Sequence, residues 1–238
     1  LSTLPQDDDY RRIFKDYDFI RGMIGAGYTG RKGKGGFYRL NMEAGKVKEA
    51  YDINAGGFAE SNYKKADKPK PASAELGKQG LRAVLTAGDD ASHYAWSVLR
   101  DTLHYAASLV PEIADDVAGV DEAMRLGYNW KKGPFEMIDD LGPAWFAAKL
   151  KEEGKTVPAF LQKVGDGTFY KIDNAQLHYF GTDGQYHAVK RPPGVLLLRD
   201  IKLGAKPLYK TASAALWDIG DGVVCVEFTG KMNALDEQ

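Results

Sequence analysis

A mainly helical fold with small β-hairpin additions at the C-terminal end is predicted by three observations. Between residues 90 and 110, Trp96, Leu99, Leu103, Ala106 and Val110 alternate three and four apart, which puts them on one stripe of a long helix. Between residues 119 and 142, GVDEAMRLGYNWKKGPFEMIDDLG reads as two short helices meeting at a corner. From Gln176 the composition turns to short strand-like runs, and Gly181-Thr-Asp-Gly184 and Gly220-Asp-Gly222 mark hairpins.

The corner has its own chemistry. Asp121 can cap the first helix, Ala123, Met124 and Leu126 supply apolar contacts, and Gly127 can take the left-handed conformation that ends it. Gly133-Pro134 starts the second helix, because proline at the first helical position loses no needed donor. Phe135, Ile138 and Leu141 give that helix an inward face until Gly142-Pro143 interrupts it.

The remaining elements follow in order. Residues 7–27 read as one helix with Ile13, Tyr17, Ile20 and Ile24 on one side. GRKGKGGFYRL (30–40) is a glycine-rich basic turn entering an extended piece, and NYKKADKPKPAS (62–73) is a solvated linker. Residues 75–87 can form a helix, and Asp89 or Asp90 can cap the long one after it. Pro111 turns the chain toward the corner, helices continue beyond Pro143 and from Pro158, and residues 195–198 read as a strand after Pro192-Pro-Gly194. Gly165-Asp-Gly-Thr-Phe-Tyr-Lys171 repeats the form of Gly33-Lys-Gly-Gly-Phe-Tyr-Arg39 one domain length later.

Composition narrows the function classes. A chain of 238 residues that is 44% hydrophobic can fill a core. A net charge of −1 gives no basic field for nucleic acid or an anionic membrane. One cysteine, Cys225, excludes an internal disulfide and fits a reducing compartment. No apolar run reaches the roughly 18 residues of a membrane span, and LSTLPQDDDYRR lacks the order of a signal peptide, so a cytoplasmic location is expected. The missing initiator methionine and the ending at LDEQ suggest an excised piece.

The acidic residue followed by AMRLGYNWKKGPFEMIDDLG closely resembles the C-terminal helical domain of L-3-hydroxyacyl-CoA dehydrogenases. The Gly-x-Gly turn before Phe-Tyr resembles the closing signature of the same domain and occurs twice. The resemblance implies the tail of one domain copy with its linker at 1–60, a second copy at 61–175, a β-rich connector at 176–213 and the first strands of an enoyl-CoA hydratase (crotonase) domain at 214–238. The last of these rests on LWDIGDGVVCVEFTGKMNALDEQ, which resembles the start of the crotonase fold. In that family backbone beside Asn-Ala-Leu touches CoA, which maps by position to Lys231, Met232 and Ala234, although lysine and methionine here replace the usual small residues.

The resemblance implies a bifunctional fatty-acid β-oxidation protein. In it the helical domain closes over the acyl-CoA thioester and forms the dimer contact, while GPFE serves as architecture. The NAD-binding domain, with its catalytic histidine and glutamate, is expected upstream and the hydratase glutamates downstream, so no catalytic, cofactor-binding or metal residue is assigned to this chain. Its second helical copy is expected to pack on the first in cis, and the isolated piece to form a homodimer. A self-sufficient helical interaction module is the alternative.

Three further motifs carry weaker expectations. Gly25-Ala-Gly-Tyr-Thr-Gly30 matches the dinucleotide pattern, yet helical sequence precedes it and a glycine-rich turn follows, the wrong context for a pyrophosphate cradle. His93 and His104 sit too far apart for one ligand set, and His178 and His187 could approach across a hairpin but have no third ligand. Glu136, Asp139 and Asp140 suit capping and charge complementarity at a helix start.

Overall fold

A computed structural model of the chain describes residues 2–61 and 70–231. It divides into two compact units, Leu1–Lys70 and Pro71–Gln238. Helices dominate residues 72–164, and among the described residues three antiparallel three-stranded sheets accompany them, a mixed fold.

In the first unit the single helix expected over 7–27 is two, α1 (Asp9–Ile13) and α2 (Asp18–Gly25), because Phe14 and Tyr17 are extended. Met23 is the one buried hydrophobic residue described in this unit, so tertiary packing gives a continuous helix through Phe14–Tyr17 little support. A tight loop follows. A Cβ on Gly33 would lie 2.6 Å from Thr29 Oγ1 and 2.7 Å from the Gly27 carbonyl, so the loop needs glycine there. Three strands come next, β1 (Tyr38–Asn41), β2 (Val47–Asp52) and β3 (Gly57–Glu60), joined as a meander. The sequence reading foresaw only the first of these.

The second unit opens with α3 (Ala72–Glu75), a 3-10 turn at Leu76–Gln79 and α4 (Leu81–Leu85), broken by Gly80 at φ 100° where one helix was expected. Asp89 caps α5 (Asp90–Ser108), accepting the Ser92 N–H at 2.7 Å. The stripe on α5 faces the core in part: Leu103 is buried and Trp96 and Leu99 pack against the same cluster, but Ala107 takes the core position expected of Ala106, and buried Val110 lies past the end of the helix. Four helices complete the layer, α6 (Val117–Tyr128), α7 (Pro134–Leu141), α8 (Pro143–Glu152) and α9 (Ala159–Val164).

Helix α7 is the centre of this unit and packs against α4, α5, α6 and α8. Phe135, Ile138 and Leu141 are fully buried, as their spacing predicted. Arg82 donates to the Leu141 carbonyl at the end of α7, and its guanidinium lies 4.8 Å from the Trp145 ring centroid.

The chain then forms β4 (Tyr170–Asp173), β5 (Gln176–Phe180) and β6 (Tyr186–Ala188), one meander that runs across residue 175. Residues 195–198 do not form the expected strand; they lead into α10 (Leu198–Ile201). The strands β7 (Tyr209–Lys210), β8 (Ala214–Gly220) and β9 (Val223–Phe228) close the described chain. The hairpin expected at Gly220-Asp-Gly222 joins β8 to β9, with Asp221 and Gly222 both at positive φ.

Candidate functional site

The acidic residues of the corner hold together three elements that are distant in sequence. Asp121 does not cap its own helix: Asp116 does, accepting the Gly119 N–H at 2.8 Å. Asp121 lies inside α6, fully buried, and serves the next helix. Phe135 N–H donates to its Oδ1 at 2.8 Å and Glu136 N–H to its Oδ2 at 3.0 Å. The Tyr170 hydroxyl donates to Oδ2 at 3.0 Å.

This arrangement explains the Gly-Pro-Phe-Glu run. Gly133 precedes α7 and has no side chain to cap it, so a carboxylate from α6 takes that place. A Cβ on Gly133 would lie 2.3 Å from the Asp121 Cα, which requires glycine. Glu136 returns the other half of a capping box, its Oε2 accepting the Gly133 N–H at 2.7 Å, and Arg125 pairs with the same oxygen at 2.6 Å. The left-handed residue ending α6 is Asn129, at φ 55°; Gly127 stays helical.

Asp139, one turn further along α7, accepts Phe169 N–H at 2.7 Å and Tyr170 N–H at 2.8 Å. It ties the start of β4 to α7, and Phe169 packs its ring 4.8 Å from that of Phe135. Asp140 faces outward and pairs with Lys132 at 2.6 Å. Burial pushes the Asp121 carboxyl up to about 7 against the pull of its N–H donors. The same cause takes Asp139 to about 6. Burial, with Asp121 beside it, also raises the Tyr170 phenol. Raised carboxyls often mark reaction centres, but here every oxygen of both groups is held by donors of the fold.

Beside this joint, α6, β5, β6 and α10 enclose a cleft of about 620 Å³ that includes Glu122, Arg125, Tyr179, His187 and Arg191. Its arginines meet carboxylates: Arg191 donates to both oxygens of Asp200 at 2.7 and 3.0 Å, and Arg125 is held by Glu136. The cleft's charges are matched, and Leu177, Val189 and Leu203 add apolar surface to its lining.

The histidines stay apart. His178 sits opposite Ala188 and His187 opposite Tyr179, so the two point to opposite faces of the sheet. His187 pairs with Asp183 at 2.9 Å, and His104 contacts the Thr156 carbonyl. Among the described residues no group of His, Cys, Asp or Glu could hold a metal ion. The Gly25–Gly30 run follows helix α2 and enters the Gly30–Gly35 bridge, so it lacks the strand-turn-helix setting of a pyrophosphate site. Lys231 is exposed at the end of the described chain, and Met232 and Ala234 lie outside the described residues. No helix among the described residues is long and apolar enough to cross a membrane.

Sequence reasoning missed the joint because Asp121 and Tyr170 lie 49 positions apart and nothing local links them. Only the repeated Phe-Tyr signature hinted that residues 169 and 170 were special.

No family model and no solved structure matches the chain. Among curated proteins, 96% of the chain aligns at 32% identity with 29% of a Bacillus subtilis (strain 168) protein named "Probable 3-hydroxyacyl-CoA dehydrogenase". A Rickettsia felis protein, provisionally named as a fatty acid oxidation complex trifunctional enzyme, is 30% identical over 75% of the chain and 24% of its own length. A similarly named Rickettsia prowazekii protein is 32% identical over 58% of the chain and 18% of its own length. The chain spans less than a third of the length of each. It is thus homologous to proteins named for 3-hydroxyacyl-CoA dehydrogenase and fatty acid oxidation, and is consistent with a fragment of such a protein.

Proposed function

We propose that this chain is the helical, non-catalytic part of an NAD-dependent L-3-hydroxyacyl-CoA dehydrogenase fused to an enoyl-CoA hydratase in fatty acid β-oxidation. In that role α5–α9 supply the domain that supports the acyl-CoA site, while NAD and the reacting groups belong to other parts of the longer protein. One observation carries the reading: Asp121, Glu136 and Asp139 are all engaged in holding backbone N–H groups. A carboxylate so engaged organises helices and is not placed to move a substrate proton.

Turnover tests this reading. The chain at high concentration should process neither L-3-hydroxyacyl-CoA with NAD nor enoyl-CoA with water, and calorimetric titration with NADH should show no saturable binding. Turnover lost on a point substitution within the chain, or micromolar NADH binding abolished by Gly27→Val, would contradict it.

An interaction module without enzymatic role is the second reading. It is favoured by exposed apolar residues on the second unit, among them Tyr94, Val98, Leu126 and Tyr128. A Rossmann βαβ unit encoded directly upstream of this chain and a complete crotonase domain encoded downstream would decide for the first.

A further inference from the structure

Among the carboxylates that line the cleft beside α6, three are spent on the fold. Asp116 receives the Gly119 N–H, Glu136 the Gly133 N–H, and Asp200 the Arg191 guanidinium. Glu122 accepts no hydrogen bond from any described residue. Its Oε1 stands 3.9 Å from Arg191 Nη1 and 3.8 Å from Arg199 Nη2, beyond hydrogen-bond reach of both. With its side chain 47% exposed, a contact so long stabilises little.

The two guanidiniums around it differ in how firmly they are held. Asp200 takes the Arg191 Nε–H at 2.7 Å and an Nη2–H at 3.0 Å, a two-point grip that fixes the plane of the group and leaves Nη1 unspent. No buried side-chain N or O among the described residues lacks a hydrogen-bond partner, so Arg191 Nη1 is open to the cleft. Arg199, on α10, has its Nε 3.8 Å from Asp200 and donates no hydrogen bond to any described residue.

Apolar surface adjoins these donors. Leu177, Val189 and Leu203 line both the cleft of about 620 Å³ and a second cavity of about 430 Å³, and Arg191 and Asp200 line both as well. The anchored guanidinium therefore stands beside an apolar strip that runs from one cavity into the other. A concave site with an apolar wall and a few placed polar groups is the usual make-up of a small-molecule site. The charged end of its ligand can be read from Glu122: a carboxylate oxygen already lies between the two guanidiniums, but on its tether to α6 it reaches neither.

We propose that this cleft binds an aliphatic monocarboxylate, which displaces Glu122 and accepts hydrogen bonds from Arg191 Nη1 and Arg199 while its chain lies along Leu177, Val189 and Leu203. Glu122 is then a built-in competitor that keeps the empty site neutral. A phosphate would suit the cations but gain nothing from the apolar strip. The inference goes beyond the dehydrogenase reading, since it involves no reaction and none of the residues of the Asp121 joint.

Hexanoate is the probe, titrated into the full chain and followed by nuclear magnetic resonance at the Arg191 and Arg199 Nε–H groups and the Leu177 and Val189 methyls. Saturable shifts at both sets are expected. Glu122→Gln should tighten binding roughly tenfold, because it removes a like charge and keeps the side chain's shape. Arg199→Gln should weaken binding about tenfold, through loss of a charge-assisted hydrogen bond. Both positions are half-exposed, so an unchanged backbone spectrum is expected in each variant. Binding of 1-hexanol as tight as that of hexanoate would overturn the proposal by leaving the arginines no role. Inorganic phosphate that shifts the arginines where hexanoate leaves the methyls unmoved would overturn it in favour of a plain anion site. No saturable shift even in Glu122→Gln, or an affinity indifferent to both substitutions, would overturn it too. Turnover does not enter this readout, so failure here leaves the dehydrogenase reading standing.

Discussion

Asp121, buried inside one helix, caps the next: its Oδ1 receives the Phe135 N–H at 2.8 Å. The relationship fixes the angle between α6 and α7 and leaves no room for a side chain on Gly133. Removing that carboxylate strands two backbone donors and the Tyr170 hydroxyl in a buried place. Asp121→Ala should therefore cost about 3 kcal/mol in urea unfolding, and Tyr170→Phe about 1 kcal/mol. Near-equal, negligible losses would show that the joint contributes little.

The same carboxyl gives stability a pH dependence. Its folded value is raised from 3.8 to about 7, and that of Asp139 to about 6. Between these limits the folded chain holds protons that the unfolded chain has released, so stability falls as pH rises from about 4 to about 7 and levels off above. Denaturant midpoints from pH 5 to 8 check this. Asp121→Asn, which cannot titrate, should be less stable throughout and show a flatter slope. A wild-type midpoint that rises across this range would contradict the assignment.

The strand β9 pairs with β8 alone among the described residues and exposes Val224, Val226 and Phe228. An apolar strand edge of this kind favours association. Light scattering coupled to gel filtration should show self-association at tens of micromolar that persists in high salt, because an apolar contact is not screened. Val226→Lys should weaken it. A monomer at every concentration would favour a self-contained module.

Much of this was legible in the sequence. The spacing of Phe135, Ile138 and Leu141 announced a buried face, Gly133-Pro134 a helix start, and Gly220-Asp-Gly222 a hairpin, because each signal is local. Asp121 reads as an ordinary cap from sequence because an acidic residue near a helix start usually serves its own helix. Here the helix begins one turn earlier, at Val117, and the carboxylate points across to α7. The break between α1 and α2 was hidden because Ile13, Tyr17, Ile20 and Ile24 carry helical spacing, yet Ile13, Tyr17 and Ile24 end up exposed. Strands β2 and β3 lie in a stretch whose glycines and charges masked their alternation.

Amide hydrogen exchange at four residues tests most directly the claim that the motif carboxylates are joints. Phe135, Glu136, Phe169 and Tyr170 should exchange only through global opening in the wild-type chain. Asp121→Ala should speed the first two selectively, and Asp139→Ala the last two, beyond what each variant's loss of global stability explains. Exchange at these four amides that follows global stability alone in both variants would contradict the account.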